Sequence, residues 1–219
     1  MCNVAALERT MSLTSTPPGN RLLRQDELGN PEPRYPLELF HCSNCAHVQL
    51  GHVVDPRILY QQEYLYVSGT SSAFVNHLEE YSSEMVSQFS LAPGALVADI
   101  GSNDGTCLRC FKERGMRVVG VDPATSIAEQ ATASGIETIA TFFSLSVAEE
   151  LRDRFGPAKF ITSHNALAHI DALDDVIRGV EHWLDDDGIF VLEVGYFVDV
   201  YENVFFDTIY HEQLVYDTV

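Results

Sequence analysis

A glycine-containing loop flanked by acids follows a strongly apolar segment in the middle of the chain. Its residues run from Asp99 to Thr106, Asp-Ile-Gly-Ser-Asn-Asp-Gly-Thr, with the two glycines four positions apart. A dinucleotide-binding loop has the spacing G-x-G-x-x-G, and the flanking carboxylates would repel the pyrophosphate of a dinucleotide. They favour a cation instead, and a sulfonium with an amino-acid tail meets that requirement. We expect Gly101 to allow close backbone approach, and Asp99 or Asp104 to accept hydrogen bonds from the ligand.

A second acid follows the next apolar segment. Asp122 comes directly after residues 117–121 and lies 21 positions after Gly101. An acid about 20 residues beyond a glycine loop is suited to bidentate hydrogen bonding with ribose hydroxyls. Taken separately, the two features indicate only a turn glycine and a helix-capping aspartate. Together they favour an adenosyl ligand.

Two cysteines have the spacing of metal ligands. Cys42 and Cys45 form a C-x-x-C pair, and two thiolates at this spacing reach one tetrahedral zinc ion. A structural zinc site needs two further ligands. His41 or His47 would be an alternative source of a further ligand, but the sequence does not favour either. Without further ligands, the cysteine pair is the remnant of a zinc-binding turn, and its thiols are free.

Alternating strand and helix patterns must position the loop. Beta-rich segments predict strands at 96–100, 117–121, 137–140, 159–163 and 188–194. Helical patterns fill the connections: one up to about residue 114, then 126–134, 147–155 and 173–184. This alternation predicts an α/β fold with right-handed βαβ units and a doubly wound parallel sheet, whose ligands bind at the carboxyl ends of the strands.

The first part of the chain differs from the rest in composition and in apolar pattern. Residues 1–60 contain six of the nine prolines and little helical periodicity, which predicts a loop-rich module with short strands at 37–40 and 47–50. Residues 71–90 predict a helix capped by Ser71 or Ser72. We therefore expect a module at 1–60, a linking segment and helix at 61–90, and a ligand-binding domain at 91–219.

Composition excludes several classes of protein. The chain has 219 residues and a net charge of −19, which argues against tracking nucleic acid phosphates and against docking on anionic membranes. No apolar run reaches the roughly 18 residues of a membrane span. The N-terminus lacks a signal-peptide pattern, and five cysteines do not suit a disulfide framework, so a reducing cytoplasm is the expected compartment.

Several motifs resemble one enzyme family. The segment 99–105 resembles motif I of class I S-adenosylmethionine-dependent methyltransferases, and more narrowly that of the sugar C-methyltransferases, which methylate carbon 3 of a dTDP-4-keto-deoxysugar. Further matches lie at 64–69 (Tyr-Leu-Tyr-Val-Ser-Gly), 138–143 (Thr-Ile-Ala-Thr-Phe-Phe), 165–170 (Asn-Ala-Leu-Ala-His-Ile) and 206–212 (Phe-Asp-Thr-Ile-Tyr-His-Glu). The resemblance extends from Cys2 to the last residue.

The resemblance implies a domain plan and two cofactors. Members carry an N-terminal zinc module, a central Rossmann-like methyltransferase core and a C-terminal domain, so we expect this chain to be truncated at both ends. Cys2 corresponds to one of the family's metal ligands, which makes Cys2, Cys42 and Cys45 the expected zinc site. The expected contacts to S-adenosylmethionine are Asp99, Gly101, Asn103, Asp104, Asp122 and Asn165.

The resemblance also implies catalytic positions. Methylation of a carbon beside a carbonyl needs a general base and a hydrogen-bond donor near the enolate oxygen. Tyr64, His169, Tyr210 and Glu212 fall on family active-site positions. The family base that follows is replaced here by Gln213, which cannot abstract a proton. Either His169 or His211 serves as the base, or the reaction differs, or the copy is inactive. Taken alone, His169 indicates a buried histidine paired with a backbone carbonyl, Tyr210 a core side chain, and Tyr64 with Tyr66 a simple aromatic patch.

Two acidic features have structural interpretations beside functional ones. Glu193 lies within an apolar strand pattern, so it either faces a substrate pocket or has a pairing partner in the core. The acids at 185–187 precede a glycine and predict a solvated turn after a helix rather than a metal site.

The sequence therefore predicts an enzyme that methylates carbon 3 of a nucleotide-linked 4-keto-deoxysugar. The alternative is a non-catalytic cofactor- or nucleotide-sugar-binding fragment of the same family, which Gln213 and the incomplete cysteine set favour. A nicotinamide dehydrogenase is the third possibility, and the absence of G-x-G-x-x-G argues against it.

Overall fold

A computed structural model of the chain describes Cys2 and residues 4–61 and 64–218. It divides into two compact units. We call one the N-terminal unit, formed by Met1–Leu65, Leu167–Asp171 and Val194–Val219. We call the other the parallel-sheet unit, formed by Tyr66–Ala166 and Ala172–Glu193.

The parallel-sheet unit is a five-stranded sheet with helices in its connections. Its strands are β4 (Leu96–Ile100), β5 (Arg117–Val121), β6 (Thr138–Ile139), β7 (Ala158–His164) and β8 (Leu184–Glu193). Their order in the sheet is β6-β5-β4-β7-β8, and every pair is parallel. The helices are α1 (Ser72–Gln88), α2 (Thr106–Glu113), α3 (Thr125–Ala133), α4 (Leu145–Phe155) and α5 (Leu173–Trp183). The predicted α/β fold with a doubly wound parallel sheet is confirmed.

The centre of this sheet is buried on both faces, as parallel sheets require. All five residues of β4 are buried, including Asp99. Val97, Leu108, Phe111 and Phe160 have no exposed surface and form the core where α2 packs against β4 and β7. In the register of the strands, Asp99 lies beside Gly120 of β5 and Thr162 of β7, so the carboxyl ends of the central strands meet at one edge.

Local capping signals set several helix boundaries. The Ser71 hydroxyl accepts a hydrogen bond from the Phe74 N–H at 3.3 Å, so Ser71 is the cap of α1, one of the two residues predicted. Ser144 caps α4 by accepting from the Val147 N–H at 3.3 Å. The interior face of α1 carries Leu78, which is 1% exposed.

The N-terminal unit contains a four-stranded antiparallel sheet. Its strands are β1 (Leu7–Thr16), β2 (Tyr35–Cys42), β3 (Val48–Leu50) and β9 (Val215–Tyr216), in that order across the sheet. A short helix, α6 (Phe197–Glu202), precedes β9 in the chain. The apolar core of the unit consists of Leu37, Leu39, Leu50, Ile209, Leu214 and Tyr216. The predicted strands at 37–40 and 47–50 correspond to β2 and β3.

The structure differs from the sequence prediction at β1, α6 and β9, which were not predicted, and at the start of β8. Strand β1 was not predicted, because nearly all of its residues are exposed and show no apolar alternation. The acids at 185–187 do not form a turn after a helix: α5 ends at Trp183 and β8 begins at Leu184. An irregular register between Ala158 and Phe160 of β7 accommodates this early start, and Asp186 and Asp187 remain exposed. Among the described residues, no helix combines the length and apolarity that crossing a membrane needs.

Candidate functional site

The predicted cofactor loop is a tight turn between β4 and α2. Gly101 and Gly105 have φ angles of 77° and 76°, a region that disfavours residues with a Cβ. A Cβ on Gly101 would lie 2.4 Å from the Cβ of Ala166, and one on Gly105 would lie 2.8 Å from Ile136 Cγ2. Both glycines are therefore required by conformation and by space.

The polar side chains of the loop hold the segment that precedes α1. Asn103 Oδ1 accepts from the Ser68 N–H at 2.9 Å, and Asn103 Nδ2 donates to the Tyr66 carbonyl at 2.9 Å. Asp104 Oδ2 accepts from the Gly69 N–H at 3.1 Å. The predicted cofactor residues Asn103 and Asp104 thus shape the loop and tie 66–69 to it, a role that the sequence analysis did not foresee.

Asp122 lies at the carboxyl end of β5 and organises the same loop. Its Oδ2 accepts from the Asn103 N–H and its Oδ1 from the Ala124 N–H, both at 2.8 Å. Burial raises the pKa of Asp122, and these two donors act in the opposite direction. A carboxylate oxygen accepts more than one hydrogen bond, so each oxygen retains capacity for a hydroxyl. The predicted ribose contact is compatible with this geometry and stays a prediction.

A group of buried polar side chains lies behind the loop. Potential ligand atoms of Asp99, Cys107 and His164 all lie within 4.8 Å of one another. Within the described residues, Asp99 Oδ1 and both ring nitrogens of His164 have no hydrogen-bond partner. Burial, with a smaller effect of Asp122, raises the pKa of Asp99 well above its usual value, and burial lowers the pKa of His164 to about 4.

The unpartnered Oδ1 of Asp99 fits a ligand that carries positive charge. A buried acid without a partner is costly, and a cation beside it would offset that cost. This observation agrees with the sulfonium and ammonium groups expected from the sequence.

Glu193 has pairing partners, but neither it nor its partner His77 is in the core, where the structural interpretation placed the pair: both side chains are partly exposed. Its carboxylate lies 2.5 Å from His77 Nε2 and accepts from Asn165 Nδ2 at 2.9 Å. The Asn165 N–H also donates to the Glu193 carbonyl at 2.7 Å, and Asn165 has a φ of 52°. The predicted cofactor residue Asn165 is therefore held at the end of β7 by Glu193 of β8.

The N-terminal unit brings together the three cysteines predicted as metal ligands. The Sγ atoms of Cys2, Cys42 and Cys45 lie within 4.8 Å of one another, and those of Cys2 and Cys42 are 3.7 Å apart. The C-x-x-C pair forms a tight turn, in which the Ala46 N–H donates to the Cys42 carbonyl at 2.8 Å and Ala46 has a φ of 61°.

The surroundings of Cys2 and Cys45 shift the pKa values of these two thiols in opposite directions. The Val4 N–H and the Asn44 side chain are the main groups that lower the pKa of Cys2, to about 7. The His47 N–H acts to lower the pKa of Cys45, although the neighbouring thiols outweigh it and raise the value. Three sulfur donors at this spacing fit a zinc ion, which prefers thiolate ligands in tetrahedral geometry. His47 also lines this cavity.

His169 lies in a cluster of aromatic and amide side chains within the N-terminal unit. Its Nε2 is 3.1 Å from Gln213 Oε1. The Tyr60 ring is nearly parallel to the imidazole at 6.4 Å between centroids, and Tyr210 meets it edge-on at 6.2 Å. Tyr64 contacts Tyr60 edge-on at 5.4 Å. The structure thus groups the predicted Tyr64, His169 and Tyr210, and adds Tyr60, which the sequence analysis did not single out.

The other two predicted catalytic residues are buried and have structural partners. Glu212 is 2% exposed, and both its carboxylate oxygens accept from Asn20 Nδ2, at 2.8 and 3.0 Å. Burial raises the pKa of Glu212, opposed by Asn20. His211 is 1% exposed, and its Nε2 lies 3.2 Å from the Tyr35 carbonyl. Burial lowers the pKa of His211, opposed by its contact with the Tyr35 carbonyl.

Comparisons with known proteins agree with the fold. A family model described as "Putative zinc binding domain" matches residues 1–60, and one described as "Methyltransferase domain" matches residues 74–212. The chain is 36% identical over 206 residues to the C-methyltransferase NovU of Streptomyces niveus, covering 94% of this chain and 49% of NovU. It therefore spans about half the length of this curated relative.

Two of the matching solved structures illustrate the likeness in structure. The plantazolicin methyltransferase BpumL, in complex with a pentazolic desmethylPZN analogue and S-adenosylhomocysteine, is 14% identical, with a TM-score of 0.50 over 63% of this chain and 53% of that chain. YcgJ of Bacillus subtilis is 22% identical, with a TM-score of 0.45 over 55% of this chain and 51% of that chain. The likeness to BpumL shows a shared fold. Since the methyltransferase model covers more than half of the sequence, this chain belongs to the class I S-adenosylmethionine-dependent methyltransferases.

Proposed function

We propose that the chain supplies the methyl-transfer domain of a C-methyltransferase that acts on carbon 3 of a nucleotide-linked 4-keto-deoxysugar. S-adenosylmethionine supplies an electrophilic methyl group when bound. The observation that carries the proposal is the packing of the His169 imidazole against the Tyr210 ring, because removal of a proton next to a carbonyl requires a base and a hydrogen-bond donor of these residue types close together.

The proposed residue roles follow from the surroundings of each side chain. His169 is the general base, since burial lowers its pKa and leaves the ring neutral and able to accept a proton. Tyr210 and Tyr64 are the candidate hydrogen-bond donors to the enolate oxygen. Glu212, which Asn20 already holds, and His211, which lies against the Tyr35 carbonyl, shape the segment that carries Tyr210.

On the cofactor side, the proposal assigns each acid a separate role. Asp122 holds the ribose hydroxyls, and Asp99 offsets the positive charge of the amino-acid tail. Gly101, whose φ of 77° disfavours a residue with a Cβ, forms the turn from which the loop backbone meets the ligand. Cys2, Cys42 and Cys45 hold a structural zinc ion that stabilises the N-terminal unit.

The proposed reaction has two steps, proton removal and methyl transfer. His169 takes the proton from carbon 3, and the electrons of that C–H bond form the enolate with carbon 4. The enolate carbon then forms a bond to the methyl group while the methyl–sulfur bond breaks, which releases S-adenosylhomocysteine. His169 returns its proton to solvent.

The second candidate is a non-catalytic binding domain, and Gln213 beside His169 is the observation that favours it. Incubation with ¹³C-methyl-labelled S-adenosylmethionine and a dTDP-4-keto-6-deoxysugar separates the two. We expect a new carbon–carbon-bonded methyl resonance at carbon 3 and an equal amount of S-adenosylhomocysteine. Binding of both ligands without product would support the binding domain, and a methyl group at carbon 5, the other carbon beside the carbonyl, would contradict the assigned position.

A further inference from the structure

Gln213 makes two hydrogen bonds whose directions are fixed by chemistry. Its Nε2 lies 2.7 Å from the Val215 carbonyl, and its Oε1 lies 3.1 Å from His169 Nε2. A carbonyl oxygen only accepts, so the amide group facing Val215 is the NH2 and the oxygen faces His169. We assign the amide orientation on this basis.

The same reasoning assigns the hydrogen on the His169 ring. The Gln213 oxygen also only accepts, so His169 Nε2 must carry a hydrogen and donate it. A neutral imidazole has one N–H, which leaves the Nδ1 lone pair available. Gln213 therefore selects which of the two ring nitrogens is basic.

The backbone around this pair keeps its two side chains in register. The Leu214 N–H donates to the Ala168 carbonyl at 2.9 Å, so the residues next to Gln213 and His169 are hydrogen-bonded to each other. The Gln213 N–H donates to the Tyr210 carbonyl at 3.1 Å, which closes the turn that carries the amide. Both side chains are thus presented from backbone segments that are fixed relative to each other.

The aromatic neighbours restrict rotation of the imidazole. Tyr60 lies nearly parallel to the ring, with an interplanar angle of 11°, and Tyr210 packs edge-on with an angle of 81°. A ring flip that moved Nδ1 to the position of Nε2 would have to break the bond to Gln213 between these two rings. The arrangement therefore favours one ring orientation as well as one tautomer.

We propose that Gln213 is a positioning residue that holds His169 as the Nε2–H tautomer, so that Nδ1 is the atom that removes the substrate proton. The part concerning proton removal rests on the proposed function. Gln213 itself takes no proton. It acts on the reaction through His169, in the way that a hydrogen-bond partner fixes the tautomer of a catalytic histidine.

The test uses the full chain with ¹⁵N-labelled histidine and four variants. Long-range ¹H–¹⁵N spectra report which ring nitrogen carries the hydrogen, and His169→Gln identifies the His169 signals by their loss. Gln213→Met keeps the length of the side chain but removes both hydrogen bonds. Gln213→Glu keeps an acceptor oxygen that can face His169, and its protonated carboxyl has an O–H that can donate to the Val215 carbonyl in place of the amide NH2. Gln130→Met, at an exposed position of α3, is the control for the substitution itself.

We expect the wild type, Gln130→Met and Gln213→Glu to show the Nε2–H form of His169, and Gln213→Met to show a mixture of tautomers. In the methyl-transfer assay, Gln213→Met should lower kcat at least about tenfold with little change in KM, and Gln213→Glu should recover most of the rate. Recovery by Glu separates positioning from simple packing, because Met fills the space equally well.

The spectra test the role of Gln213, and the methyl-transfer assay tests the proposed function, so each proposal can be contradicted without the other. An Nδ1–H or mixed form in the wild type, or the same tautomer in Gln213→Met, would overturn the inference even if methyl transfer is observed. The expected tautomer pattern without turnover on any 4-keto sugar nucleotide would support the role of Gln213 and contradict the proposed function.

Discussion

Asn103 and Asp122 are joined across the carboxyl ends of two neighbouring strands: the Asn103 N–H donates to Asp122 Oδ2 at 2.8 Å. The bond is buried and closes the glycine loop onto the end of β5. Asn103 then reaches back to the segment 66–68 through its side chain. The conformation of the loop is thus set by its own polar network, which leaves a preformed surface at the end of the sheet.

Gly101 should not tolerate a side chain. Gly101→Ala combines a strained φ of 77° with a Cβ 2.4 Å from Ala166 Cβ, so we expect a loss of about 2–5 kcal/mol in the free energy of unfolding. Gly94→Ala is the matched control, because Gly94 has a φ of 83° but nothing within 4 Å of a built Cβ, and it should cost about 1–2 kcal/mol. Urea denaturation measures both values, and equal losses would contradict the clash.

Asp99 should make the unfolding free energy depend on pH. Its pKa is raised well above the ordinary 3.8 by burial, so the folded state binds the proton more tightly than the unfolded state does. Stability from this group is therefore present at low pH and is lost as pH rises from 3.8 toward the folded-state pKa. Asp99→Asn stays neutral and should gain stability relative to wild type as pH increases. If the unfolding free energies of wild type and Asp99→Asn change equally between pH 5 and pH 8, Asp99 does not cause the pH dependence.

The cysteine cluster should hold one zinc ion per chain. Elemental analysis of wild type is expected to give about one equivalent, and Cys42→Ser or Cys45→Ser should lose most of it, since removing a thiolate weakens a structural site strongly. Chelation should lower the melting temperature of wild type. Cys110→Ala, outside this cluster, should keep its zinc. Full zinc occupancy in Cys42→Ser would place the metal elsewhere.

The two candidate bases should respond differently to substitution. His169→Gln should lower kcat by about 10²- to 10⁴-fold, because the imidazole that takes the proton is gone. His211→Gln should stay within about tenfold of wild type, since its contact is with the Tyr35 carbonyl and a glutamine amide can also donate to a carbonyl. Methyl-transfer rates with circular dichroism spectra of each variant decide between them, and the reverse ranking would assign the base to His211.

The sequence predicted the elements whose signals are local. The apolar run of β4, the serine that caps α1 and the glycines of the loop are all readable from a few neighbouring residues, and each was found in the structure. Strand β1 was missed because its side chains are exposed on both faces and its pairing with β2 is what makes it a strand.

Contacts between distant parts of the chain could not be predicted in the same way. Asn20 binds Glu212 across 192 positions, and no periodicity or spacing links those two residues. The sequence shows that Gln213 stands where the resembling family has its base. The orientation of the Gln213 amide, however, follows from the Val215 carbonyl, which only the fold places beside it. The loop residues Asn103 and Asp104 were predicted as ligand contacts from their types, whereas their hydrogen bonds to 66–69 depend on tertiary structure.

The central claim is that the glycine loop and Asp122 form the binding site of an adenosyl ligand, and isothermal titration with S-adenosylhomocysteine tests it most directly. We predict one molecule bound per chain, with an affinity that falls by about 1–3 kcal/mol in Asp122→Ala and is unchanged in Asp153→Ala, an exposed acid on α4. Absence of binding to the wild-type chain, or equal affinity of all three proteins, would contradict the claim.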